Sequence, residues 1–221
     1  MKHRGMALLT GLLLLAAISL LALVGTSSMI LQTQMASNFK HNTTALQNAN
    51  LAQSEGEAWL FSRPSHEREP DCIADCLLPT AIHHDSEIPA HLEYESVAWW
   101  QLNGIEAGMD PATGLASAAY QFESSQAPRW IIEELRFEPV ELEPPFEATQ
   151  GVGYYRIFSR GSGGNSRSVA ITEVIVARPW GDGVLPGEYP LSEDSVNFCL
   201  QFEGISHPLF DCGSKAWRQR R

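Results

Sequence analysis

Apolar residues crowd the start of the chain. Met6 to Leu23 is mostly Leu and Ala, interrupted only by Thr10, Gly11 and Ser19, and no formally charged side chain occurs from Met6 to Phe39. At ~1.5 Å per residue, about 20 such residues cross a ~30 Å hydrocarbon core, so the pattern predicts a transmembrane segment over 6–25. Lys2 and Arg4 stand before the run and place the N-terminus in the cytoplasm, with the remainder outside. The "ALVGTSS" stretch offers a signal-peptidase site, but the helical pattern continues past it. Apolar or small positions recur at Met29, Leu31, Met35, Phe39, Ala45, Leu46, Ala49, Ala52 and Trp59, with no proline before Pro64. The reading is one helix over 6–61, about 84 Å long, whose outer half is weakly amphipathic and needs a partner to cover it.

After Pro64 the pattern changes. Residues 62–90 are charged, proline-rich and cysteine-bearing, and read as an irregular connector. Strand-like segments follow in "HLEYESVAWWQL", "LASAAYQFES", "RWIIEELRFEPVEL", "GYYRIFSRG" and "SVAITEVIVARPW". Tyr154 to Ser159 and Val169 to Val176 form the clearest hairpin, with "RGSGGNSRS" as its turn. The expected fold is α+β, with an antiparallel sheet over 91–221 packed against the outer half of the long N-terminal helix.

Charge and cysteine content narrow the function classes. The net charge of −11, with 26 Asp and Glu against 15 Lys and Arg, argues against nucleic acid as a partner. Cys72, Cys76, Cys199 and Cys212 make an even count, which in an exported chain favours disulfides. Three pairings are possible, and the local one, Cys72 with Cys76 and Cys199 with Cys212, is preferred. Cys72, Cys76, His83, His84 and Asp85 carry zinc-ligand chemistry, but a Cys-x-x-x-Cys spacing in an oxidising compartment favours a disulfide. "GSGGN" lacks the Lys-Ser/Thr of a phosphate loop and reads as a turn. Glu133, Glu134, Glu141, Glu143 and Glu147 read as a solvated face, and Ser28, Ser162 and Ser166 lack a nucleophile context. Asn42-Thr43-Thr44 is a formal glycosylation sequon, and the closing "WRQRR" reads as a solvated basic tail. No enzyme, catalytic residue, metal or cofactor is expected.

The leader "KHRG" followed by "MALLTGLLLLAAISLLALVG" resembles the type IV prepilin pattern, in which a short basic leader ending in glycine precedes a hydrophobic helix. Met35, Ala36 and Asn38, then Ala45, Leu46, Gln47, Ala49 and Ala52, resemble the PilX-type minor pilins. Tyr155, Arg156 and Ile157, then Arg160, Gly161, Gly163 and Gly164, add a looser likeness near the C-terminus. The resemblance implies a type IV pilin-like fold with a filament-core helix. It implies a leader over 1–5, cleavage between Gly5 and Met6 by a prepilin peptidase, and methylation of the Met6 amine. It implies an inner-membrane, single-pass protein with a periplasmic domain that passes into a pilus. The partners it implies are other minor pilins, the major pilin, the assembly platform and the lipid bilayer. The function it implies is pilus assembly, at initiation or in a tip complex, with adhesion or twitching as the wider setting. Cys199 and Cys212 would close a loop like the disulfide-bounded region of many pilins, contributing about 3 kcal/mol.

One position departs from that family. The fifth residue after the expected cut is Thr10, where most pilins carry Glu. Drift in a low-abundance subunit or a place at a filament tip both accommodate the change. The tip reading brings in a type II secretion pseudopilin as an alternative. An uncut, single-pass anchored periplasmic protein is the third reading.

Overall fold

The computed structural model describes residues 4–69, 72, 76–84, 88–116, 124, 126–139, 150–190, 192, 194–203 and 211–220; the side chains of 4, 5, 7, 23–25, 27, 79 and 80 also stand outside the description. The chain divides into two compact units, Met1–His41 and Asn42–Arg221. Helix α1 spans Arg4–Ser62, and it stops two residues before Pro64, the first proline of the chain.

The first unit is helical throughout its described residues. Among the described residues, no helix is long and apolar enough to cross a membrane. This corrects the expected transmembrane segment over 6–25. The inner-membrane single-pass localisation and the lipid bilayer as partner rested on that segment and are corrected with it.

The second unit is built on a sheet. Its strands are β1 (Ile82–His83), β2 (Ile105–Glu106), β3 (Arg129–Pro139), β4 (Gly151–Ser162), β5 (Val169–Trp180) and β6 (Gly213–Arg220). The order is β1-β3-β4-β5-β6, with β2 also paired to β3. β1 runs parallel to β3 (Ile82 opposite Ile132), and the other pairings are antiparallel. The sheet is therefore mixed, which corrects the expected antiparallel sheet; together with the absent spanning segment, it leaves the type IV pilin-like fold class without support. Short helices α2 (Leu78–Ala81) and α3 (Val97–Asn103) complete the described helices.

Two segments differ from their sequence-based expectation. "HLEYESVAWWQL" is not a strand: Leu92–Tyr94 is a 3₁₀ turn and α3 follows it. Ser96 starts α3, its side chain accepting from Trp99 N at 3.1 Å, and this local cap outweighs the β propensity of the aromatic pair. "WRQRR", read as a solvated tail, supplies the second half of edge strand β6 as far as Arg220. "LASAAYQFES" lies largely outside the described residues.

Within the second unit, the last turns of α1 lie on one face of the sheet. Ala45, Ala49 and Ala52 are buried at helical spacing and allow close approach to β4. Trp59 then packs on Trp130 with ring centroids 5.4 Å apart. The helix end is held from the sheet: Arg178 Nη2 donates to the carbonyls of Phe61 and Arg63, which no further turn of helix satisfies. Arg178 is fully buried over the Trp180 ring at 3.4 Å, and that burial lowers its pKa to about 9. The opposite sheet face carries a second apolar cluster of Leu92, Trp100, Ile131, Phe158 and Ile171.

Candidate interaction surface

In the first unit the apolar side chains of α1 face outward. Leu8, Leu9, Leu12, Leu13, Leu14 and Leu15 are each at least 60 % exposed. At 100° per residue, four consecutive leucines already encircle the helix, so the surface is apolar on every side rather than along a stripe. Met29, Ile30, Leu31, Met35 and Phe39 extend it with comparable exposure.

The few hydroxyls do little to make this surface polar, because they fold back on the helix. Thr10 Oγ1 donates to Met6 O at 3.1 Å, Ser19 Oγ to Leu15 O at 2.9 Å, Thr26 Oγ1 to Ala22 O at 2.9 Å and Thr33 Oγ1 to Met29 O at 2.9 Å. Thr10, singled out for lacking a carboxylate, thus engages its own helix backbone. Gly5 and Met6, the expected cleavage pair, fall within α1, and residues 1–3 of the expected leader lie outside the described residues.

In the second unit the sequence-derived candidates resolve into structural roles. Cys72 is bonded to Cys76 and Cys199 to Cys212. Both thiols of the zinc candidate are therefore consumed; His83 lies on β1, and Asp85 is outside the described residues. Among the described residues, no group of three or more His, Cys, Asp or Glu is placed to hold a metal ion. Glu134 pairs with Arg68 at 2.8 Å and Glu133 with Arg156 at 3.2 Å, on opposite faces of β3. Glu141, Glu143 and Glu147 lie outside the described residues. "GSGGN" ends β4 with Gly161 and Ser162 and opens the β4–β5 turn, where Asn165 Oδ1 accepts from Arg167 N at 3.0 Å and Ser168 N at 2.8 Å.

The basic residues of β6 are also engaged. Glu173, nearly buried, pairs with Arg218 at 2.7 Å, Arg156 at 3.5 Å and Arg220 at 3.6 Å, and Lys215 pairs with Asp211. Sequence reasoning missed this lattice because it depends on which strands are neighbours. One cavity of about 270 Å³ lies beside the end of α1, lined by Ala58, Phe61, Val196 and Phe198 with Glu57 and Glu188. Burial there pushes the Glu57 carboxyl above its usual range.

Compared with known proteins, the chain matches no family model, no curated protein and no solved structure. The PilX-type and type IV prepilin resemblance therefore has no homology behind it. The motifs that carried it are a short basic leader ending in Gly5, a Leu/Ala run, a Met-Ala-x-Asn segment leading into an Ala/Gln-rich helix, and a Tyr-Arg-Ile strand before a glycine-rich turn; the Leu/Ala and Ala/Gln-rich compositions among them are shared by many unrelated helices. With no described membrane-spanning helix, the pilus-assembly function, its membrane-embedded mechanism and its pilin, peptidase and platform partners are corrected too. So are the pseudopilin and membrane-anchored alternatives.

Proposed function

We propose that the chain is a non-catalytic association protein that self-associates through the apolar helix of its first unit. The observation that carries this reading is the exposure of leucines on all sides of α1 between Leu8 and Leu21. Apolar surface of that extent is unfavourable in water at about 25 cal/mol per Å² and marks a site that something covers.

A second copy of the same helix suits the surface. The absence of formal charge from Met6 to Phe39 means that two copies meet without like-charge repulsion. Gly11 has no atom within 4 Å of where a Cβ would stand, so a partner side chain finds room there. A non-catalytic role is supported by the second unit, whose strongly shifted groups serve packing: Arg178 holds the end of α1, and Tyr155 is held by Arg68.

The test is sedimentation velocity on the full chain against the variant Leu13→Glu/Leu20→Glu. The wild type is expected to associate with increasing concentration. The variant, which places charges in the covered surface, is expected to weaken association by about tenfold or more while the near-UV signal of the second unit is unchanged. A monomeric wild type, equal association of the variant, or a monomer that floats with phosphatidylcholine vesicles overturns the reading.

A further inference from the structure

Arg129 and Arg160 stand directly opposite each other on β3 and β4. Like charges across a ladder repel, so this arrangement needs compensation. Arg129 has it: its Nη2 meets Glu106 Oε2 at 2.5 Å and its Nη1 donates to Gly104 O at 2.7 Å. Arg160 does not. Only 7 % of it is exposed, its Nη1 donates to the neutral Gln126 Oε1 at 2.9 Å, and it pairs with no carboxylate among the described residues. Among the described residues, two guanidinium charges thus face one carboxylate, leaving one positive charge without a counter-charge there.

Both arginines line a cavity of about 170 Å³, together with Gln126, Gln101, Glu106 and Trp100. The wall is held in place: Gln126 O accepts from Ser162 Oγ at 2.8 Å and from Ser124 Oγ at 2.7 Å. Trp100 brings a further donor, its buried Nε1–H having no acceptor among the described residues. Trp59, Trp130 and Trp180 share that state, so the guanidinium carries the argument and the indole adds to it. Burial, and after it the charge of Arg129, holds the Arg160 pKa below the ordinary guanidinium value, the signature of a cation short of a counter-charge.

We propose that this cavity is a binding site for a carboxylate group, seated between Arg160 and Arg129. The class follows from charge and size. Among the described residues one unit of positive charge is left over, which a monoanion neutralises, whereas a phosphate dianion over-compensates beside Glu106. The volume lies below the about 300–1,000 Å³ of pockets that enclose drug-sized ligands, so it suits the acid group rather than a large molecule. The guanidinium fork matches the two oxygens of a carboxylate. The site lies wholly in the second unit and is independent of association through the first.

The full chain, labelled with ¹⁵N, is titrated with acetate, N-acetylglycine and inorganic phosphate while the Trp100 indole resonance is followed, assigned with Trp100→Phe. Acetate represents a free small acid and N-acetylglycine a chain-end carboxylate; the tighter of the two names the source. The expected result is a saturable shift with the carboxylates, weakened about tenfold or more in Arg160→Gln, with the other indole signals unmoved. Glu106→Gln, which removes the resident competitor, is expected to tighten carboxylate binding and decides the matter if Arg160→Gln fails to fold. No saturable shift, an equal shift in Arg160→Gln, tighter binding of phosphate, or unchanged or weaker binding in Glu106→Gln overturns the proposal.

Discussion

Tyr155 is wholly buried, and its hydroxyl accepts from Arg68 Nη1 at 3.0 Å. Burial first of all pushes its phenol well above the usual value, with Arg68 opposing. The folded chain therefore keeps this proton where the unfolded chain, with a phenol pKa of about 10, releases it. Stability due to Tyr155 is fully present below about pH 10 and is lost as pH rises beyond it, by at most about 1.4 kcal/mol per pH unit. Urea melts of wild type and Tyr155→Phe at successive pH values above 9 are expected to converge as pH rises, because only the wild type carries this loss. The sequence shows Tyr155 as one aromatic in an alternating strand. Its partnership with Arg68, 87 positions away, depends on how the chain after α1 returns to the sheet.

At the scale of elements, the contact between α1 and β4 turns on Gly161. A Cβ there would stand 2.2 Å from Ala45 O and 2.3 Å from Ala49 N, both backbone atoms that a rotamer change cannot move. Gly161→Ala is expected to cost about 1–3 kcal/mol or more by forcing the helix off the strand, read as a lower urea midpoint at unchanged slope. The hairpin of β4 and β5 was legible, since alternating β-branched and aromatic residues flank a Gly/Ser/Asn turn. α3 was not, because seven residues starting at a serine cap carry too short a pattern to separate a helix from a strand. β6 was missed for a different reason. Its side chains are largely exposed, so no hydrophobic alternation announces it, and it exists through its ladder to β5 and its arginines on Glu173.

At the scale of the whole chain, two covalent links act within the second unit. Cys199–Cys212 joins the 3₁₀ turn Phe198–Phe202 to the start of β6 across a separation of 13 residues, and Cys72–Cys76 closes a separation of 4. Chain entropy assigns about 3 kcal/mol to the longer loop and about 2 kcal/mol to the shorter. Cys199→Ser/Cys212→Ser is accordingly expected to lower the unfolding free energy more than Cys72→Ser/Cys76→Ser, in urea melts of both variants. The first unit follows other rules. Its described side chains bury little against their own unit, so its free energy depends on what covers it, and association and unfolding should be linked through concentration.

What the sequence by itself determined is local. The uncharged apolar run, the stop of α1 ahead of Pro64 and the turn at Asn165 all follow from residues within a few positions of one another. Backbone sterics and short-range hydrogen bonds decide such features. The tertiary structure alone decided which charges meet. Arg160 looks like any arginine before a glycine turn; only strand register sets it against Arg129, where it forms no ion pair among the described residues. Electrostatic energy depends on separation in space and on burial, and neither is carried by the order of residues along a chain.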